Sequence, residues 1–116
     1  MRPVIRNCRA LCASLLLVSL LPVSLLSNAD PPTERKTELD TLLYQDCGSC
    51  HGMTLRGGLG PPLLPENMAR YNTQAIAAII LHGVPGTAMP PWSALLTEDD
   101  AAWLADQLLP QDSSPH

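Results

Sequence analysis

The sequence predicts an all-α fold: one small domain of three main helices joined by two long loops. Three observations predict it. Leu39, Leu42 and Leu43, then Ile76, Ile79 and Ile80, then Ala101, Leu104, Ala105 and Leu108 each recur at the i, i+3, i+4 spacing of a helix face. Nowhere do apolar and polar residues alternate over more than three positions, so no strand is signalled. The 12 prolines and 7 glycines crowd between the periodic segments and break them apart. A chain of 116 residues has room for one domain only.

Residues 1–29 stand apart from the fold. Arg2, Arg6 and Arg9 precede an apolar run without charge, and Ser27-Asn28-Ala29 ends it with small residues. This is the pattern of a cleaved secretory leader, with Asp30 as the first mature residue. The competing reading is a permanent anchor, because the uncharged stretch 10–29 has nearly membrane-spanning length. Pro22 and the small-residue exit favour cleavage. A membrane therefore enters as a partner only if the leader stays uncleaved. No cysteine follows the apolar run, which argues against a lipid-anchored N-terminus.

Residues 30–38 form a linker and the start of the first helix, 39–109 the domain, and 110–116 a loose tail. The first helix runs from about Thr33 to Asp46 and is interrupted at residues 47–51. Residues 52–68 are loop. A second helix spans Thr73 to His82, with Thr73 as its N-cap and Gly83 just past its end. Its apolar residues nearly surround it, so burial on all sides is expected. Residues 83–96 form another loop. Thr97-Glu98-Asp99-Asp100 then opens the third helix, its carboxylates set where the helix dipole favours them, and Pro110 ends it.

Loops this long in so small a domain imply that they wrap something. Three of the 7 basic residues lie in the leader and no acidic one does, which leaves 4 basic against 11 acidic residues, a net charge of −7. Nucleic acid is excluded as a natural partner. Only Trp92, Trp103, Tyr44 and Tyr71 are aromatic, so an apolar core alone is a weak staple for an exported domain of this size. Cys47 and Cys50 stand too close together to close a long stabilising loop. A cofactor remains.

Cys47-Gly48-Ser49-Cys50-His51 is the attachment pattern of c-type haem. Two cysteines three positions apart reach the two vinyl groups on one side of a porphyrin, and His51 is then held under the iron. Gly48 and Ser49 are small enough for the backbone to lie against the ring edge. A thioredoxin-like pair would need a βαβ pattern that is absent. A zinc site would lack a second close ligand pair. A plain disulfide would leave the loops nothing to wrap.

The sixth iron position has five candidates. Met53 is too close to His51 to cross the ring, and His116 lies in the tail. Met68 reads more simply as a gap-filling methionine, and His82 as a favourable charge at a helix C-terminus. Met89 lies between Gly86 and Pro90-Pro91, where prolines hold the chain extended and can present a thioether to a metal. A ligating histidine usually donates its other N–H to a carbonyl or carboxylate. The Gly60-Pro61-Pro62-Leu63 stretch can fold back to offer one, from Pro61 or a neighbour, and Leu63 and Leu64 can cover the ring.

With these residues in place, the chain resembles a monohaem class I cytochrome c over about residues 39–109. The resemblance implies an all-α fold around one covalent haem c, with crossing terminal helices. It matches Cys47 and Cys50 to the thioether cysteines, His51 to the proximal ligand and Met89 to the distal one. It matches Pro61 to the proline whose carbonyl accepts from the histidine, and Leu63 to the haem-packing leucine. The family's first helix carries a glycine and an aromatic residue; here Tyr44 is present and the glycine is not.

The loop wording, Asp46 through Pro61 and Gly86-Thr-Ala-Met-Pro-Pro-Trp92, is similar to the small periplasmic cytochromes encoded beside the haem c/haem d nitrite reductase of denitrifying bacteria. That likeness implies a non-enzymatic electron carrier that donates to nitrite reductase, or an accessory to maturation of its haem d. An enzyme or sensor would need an open iron site. The acidic balance predicts a redox partner with a basic docking surface, with Glu66, Glu98, Asp99 and Asp100 as candidate steering groups. The last three serve equally well as helix-capping charges.

Overall fold

The computed structural model describes residues 29–111; the leader therefore falls outside the described residues except for Ala29, and so do the last five residues, with His116 among them. The elements are α1 (Thr33–Leu42), a π-helical turn (Leu43–Cys47), α2 (Gly48–His51), α3 (Pro65–Met68), α4 (Thr73–His82) and α5 (Glu98–Leu108), with no strand among the described residues.

The first helix is not interrupted at the cysteines. α1, the π turn and α2 follow one another without a break, and Gly52 ends the run with a φ of 87°. The break expected at residues 47–51 does not occur, and Cys47 through His51 are helical. Two residues supply the buried side of this polar helix, Leu39 and Leu43, with Leu42 partly buried beside them. Full burial of one leucine contributes about 1.5–3 kcal/mol.

α3 was expected to be loop. It is a single turn begun by Pro65, which sits where a missing N–H costs nothing. α4 spans the expected residues, but its cap lies one residue earlier than expected: Asn72, not Thr73, accepts from the backbone N–H of Ala75 at 2.8 Å. The Thr73 hydroxyl donates instead to the Asp106 carboxylate at 2.6 Å, tying α4 to α5. Nor is α4 buried all round, since Ile76 and Ile80 are in the core whereas Ile79 is 36% exposed.

α5 opens with a complete capping box: the Thr97 hydroxyl accepts from Asp100 N–H at 3.1 Å, and the Asp100 carboxylate accepts from Thr97 N–H at 3.0 Å. Ala101, Leu104, Ala105 and Leu108 form its buried stripe, in one cluster with Leu39 and Leu43 of the first helix. Ala101 and Ala105 are fully buried, so the small residues that allow close packing lie on α5, not on α1. Tyr44 is 45% exposed and takes no part in that cluster.

Candidate haem site

A cavity of about 490 Å³ opens between the end of the first helix, the two loops and the inner faces of α4 and α5. Its size is that of a cofactor site. Its walls are mainly apolar, with Leu43, Met68, Ile76, Ile80, Leu104 and Leu108 from the helices. Ile79 also faces it, which explains why an isoleucine of α4 is left uncovered by protein.

Six residues singled out from the sequence line this one cavity: Cys47, Cys50, His51, Pro61, Leu63 and Met89. Both cysteines are free and half-buried. Burial, reinforced by the neighbouring Asp46 carboxylate, pushes the Cys47 thiol up to about 11. The unmodified thiol is therefore neutral at physiological pH.

Gly48 and Ser49 do not meet the expectation placed on them. Gly48 packs against Met53, where a β-carbon would lie 3.5 Å from the Met53 sulfur, and the Ser49 hydroxyl donates to Asp46 O at 2.6 Å. Neither lines the cavity, because the helix continues through the motif and turns them to its far side.

His51 lies at the end of α2, with Nδ1 2.7 Å from the carbonyl oxygen of Pro61. A carbonyl can only accept, so Nδ1 carries a proton, and in the neutral imidazole Nε2 is then the nitrogen with the free lone pair. The loop after His51 is drawn tightly beneath it. Gly57 N–H donates to His51 O at 2.7 Å, Gly60 N–H to Cys50 O at 2.8 Å, and Leu63 N–H to Leu55 O at 2.9 Å. Gly52 is needed for this closure, since a β-carbon there would meet Gly57 O at 2.7 Å.

Met89 reaches the cavity from the loop after α4. Gly83, at φ 66°, lets the chain turn back: a β-carbon on it would lie 2.6 Å from Met89 O. Val84 N–H donates to Met89 O at 3.2 Å, Thr87 Oγ1 accepts from Met89 N–H at 3.3 Å, and Trp92 N–H donates to Ile80 O at 3.1 Å. The methionine is thus carried on a loop pinned at both ends to α4.

The other candidates separate cleanly. Met53 is 61% exposed and His82 lies on the outer surface; neither lines the cavity. Met68 is buried and does line it, a contact that its polar sequence neighbours concealed. Leu64 is half-buried but away from the cavity. Asp100 is not available for steering a partner. It is 4% exposed and held by Arg35, whose Nε and Nη2 donate to its two oxygens at 3.1 and 2.9 Å. Glu66, Glu98 and Asp99 are not part of the cavity wall; among the acidic residues described only Asp46 lines it.

A family model described as cytochrome c oxidase, cbb3-type, subunit III matches residues 34–107. The chain is 45% identical to a cytochrome c55X of Pseudomonas aeruginosa over 106 residues, 91% of this chain and 89% of the relative. The chain belongs to the cytochrome c55X family. The solved structure of a c-type cytochrome NirC superposes with a TM-score of 0.67 at 51% identity, over 68% of this chain and 93% of that one. A dihydro-heme d1 dehydrogenase of P. aeruginosa is 43% identical over 70 residues, 60% of this chain but 13% of that protein.

Membership of the c55X family brings a covalently bound haem c, and the residues present fit it. Two free thiols and an imidazole stand at one wall of an apolar cavity, and Gly60 leaves the imidazole room that a side chain would take. The chain is accordingly a c-type cytochrome of all-α, class I architecture. No helix of the described residues is long and apolar enough to cross a membrane.

Proposed function

We propose that this cytochrome is a periplasmic carrier of single electrons whose iron is closed by His51 and Met89, and that it donates to a nitrite reductase. The observation that carries the reading is the 2.7 Å bond from His51 Nδ1 to Pro61 O, in a cavity that Met89 also lines. It frees Nε2 for a metal and fixes the ring that bears it.

When bound, the haem supplies a ferric/ferrous couple. The chain's own residues decide what that couple can do. A thioether from Met89 is a neutral, soft ligand that favours the ferrous state and raises the potential. The apolar walls keep water out and act in the same direction. Two protein ligands leave no open position for a substrate, so the site passes electrons and binds no small reactant.

Export is supported by the leader-like residues 1–29. A partner with a basic docking surface is supported by the net charge of −7 over residues 30–116. Steering by opposite charge speeds encounter more than it tightens binding. The test is the rate of electron transfer from the reduced cytochrome to purified nitrite reductase at rising salt. From about 10 to 150 mM the Debye length shrinks from roughly 30 to 8 Å. The rate is expected to fall several-fold; a flat profile contradicts the basic partner.

A second reading is favoured by the likeness to part of a dihydro-heme d1 dehydrogenase. In it the cytochrome serves maturation of the reductase's haem d, not nitrite reduction itself. Deleting the gene separates the two. Loss of haem d from the reductase supports maturation, whereas a fully loaded but electron-starved reductase supports donation.

A further inference from the structure

Gly60 is a glycine for its missing side chain and not for its backbone. Its φ is outside the left-handed region, so alanine could adopt its conformation. A β-carbon there would lie 2.7 Å from both Nδ1 and Cε1 of His51 and 3.2 Å from Nε2. Carbon atoms in ordinary contact stay about 3.5–4.0 Å apart. Near-equal distances to three ring atoms put that position over the face of the imidazole, not at its edge.

The backbone of Gly60 cannot retreat. Its N–H donates to Cys50 O at 2.8 Å, and its carbonyl accepts from Gly58 N–H at 3.0 Å. Cys50 is in turn the residue before His51, so the wall and the ring it supports are built on the same turn. The bond to Pro61 O lies in the plane of the ring at Nδ1, whereas Gly60 closes one face. Together they restrict rotation of the imidazole in two independent directions.

We propose that Gly60 is a positioning residue that sets the plane of the His51 imidazole relative to the haem. The proposal rests on the reading of His51 as the iron ligand. A β-carbon at position 60 rotates the ring and stretches the Nδ1–Pro61 bond while leaving both cysteines free to form their thioethers.

The experiment is proton NMR of the intact haem-loaded protein, wild type against Gly60→Ala, in both oxidation states. The pattern of the four haem methyl shifts in the ferric state reports the orientation of the imidazole plane. In the wild type, ferrous state, an Overhauser contact is expected between the Gly60 α-protons and the His51 ring. In Gly60→Ala the covalent haem is retained, the methyl pattern changes, and the Nδ1 proton exchanges roughly tenfold faster, the equivalent of about one hydrogen bond lost. An unchanged methyl pattern and exchange rate in the variant overturns the proposal. If the variant does not fold, absence of the wild-type Overhauser contact overturns it alone. Absence of iron-shifted imidazole protons in the wild type is a different failure: it removes His51 as ligand, and the proposal with it.

Discussion

Arg35 of α1 grips Asp100 of α5 with two nitrogens on two oxygens, at 3.1 and 2.9 Å across 65 residues of sequence. The same guanidinium donates to Leu95 O and to Glu38, and the same carboxylate closes the capping box of α5. One ion pair thus joins the first helix, the loop before the last helix and that helix's N-terminus. The Arg35 guanidinium is the main reason the Asp100 carboxyl is held below its ordinary value; burial opposes the shift and Thr97 adds to it.

This pair predicts a pH dependence with a definite sign. A carboxyl whose pKa is lower folded than unfolded stabilises fully above the unfolded value, about 3.9, and loses that contribution as pH falls through the folded value. Thermal unfolding of the haem-loaded protein across pH 2–6 is expected to steepen on the acid side. Asp100→Asn flattens that limb and costs about 1–3 kcal/mol at neutral pH, since Arg35 is a third exposed and solvent weakens the pair. Equal acid limbs in both proteins would contradict this assignment.

Gly83 and Gly86 offer a matched contrast. Both have positive φ, 66° and 78°, so alanine strains the backbone by roughly 1–3 kcal/mol at either. At Gly83 the β-carbon also strikes the Met89–Pro91 backbone, whereas at Gly86 nothing lies within 4 Å. Gly83→Ala is therefore expected to lose the far-red absorbance of a thioether-bound ferric iron and to bind carbon monoxide. Gly86→Ala lowers the melting temperature but keeps the band. Identical spectra in the two variants would refute the pinning of Met89 by Gly83.

Cys47→Ser and Cys50→Ser are expected to lower sharply the yield of folded protein from the export-side compartment, as measured by haem staining and circular dichroism. The cavity of about 490 Å³ lies between the first helix, α4 and α5, so a chain without the macrocycle leaves their inner faces unsupported. A stable, fully helical protein without haem would show that the helices hold without it.

The acceptor for His51 is a main-chain oxygen, so Pro61→Ala keeps it. The variant is expected to retain the covalent haem and the far-red band and to lose up to about 1 kcal/mol of stability from a freer unfolded chain. Loss of the band would mean that the proline ring, and not its carbonyl, secures the histidine.

Much of this site is legible in the sequence because its chemistry is local. Cys47, Cys50 and His51 fall in five residues, and the extended prolines around Pro61 and Met89 declare their own backbone. What escapes is set by contacts distant in sequence or by competition between near neighbours. Nothing near Arg35 announces Asp100. Residues 47–51 read as an interruption, yet the π turn leads directly into α2 and sets Gly48 against Met53. Asn72 and Thr73 are both residue types that cap helices; Asn72 takes the cap, and the Thr73 hydroxyl bonds Asp106 across to α5. Met68 hides among polar neighbours because a single turn begun at Pro65 swings it inward.

Absorbance of the haem-loaded wild type and Met89→Ala shows whether His51 and Met89 together close the iron. A weak far-red band is expected in the ferric wild type, and no binding of carbon monoxide to its ferrous form. In Met89→Ala the band is gone and carbon monoxide binds, with both thioether links intact. A band that survives in Met89→Ala rules out Met89 and moves the sixth ligand to Met68, the other methionine in the cavity wall.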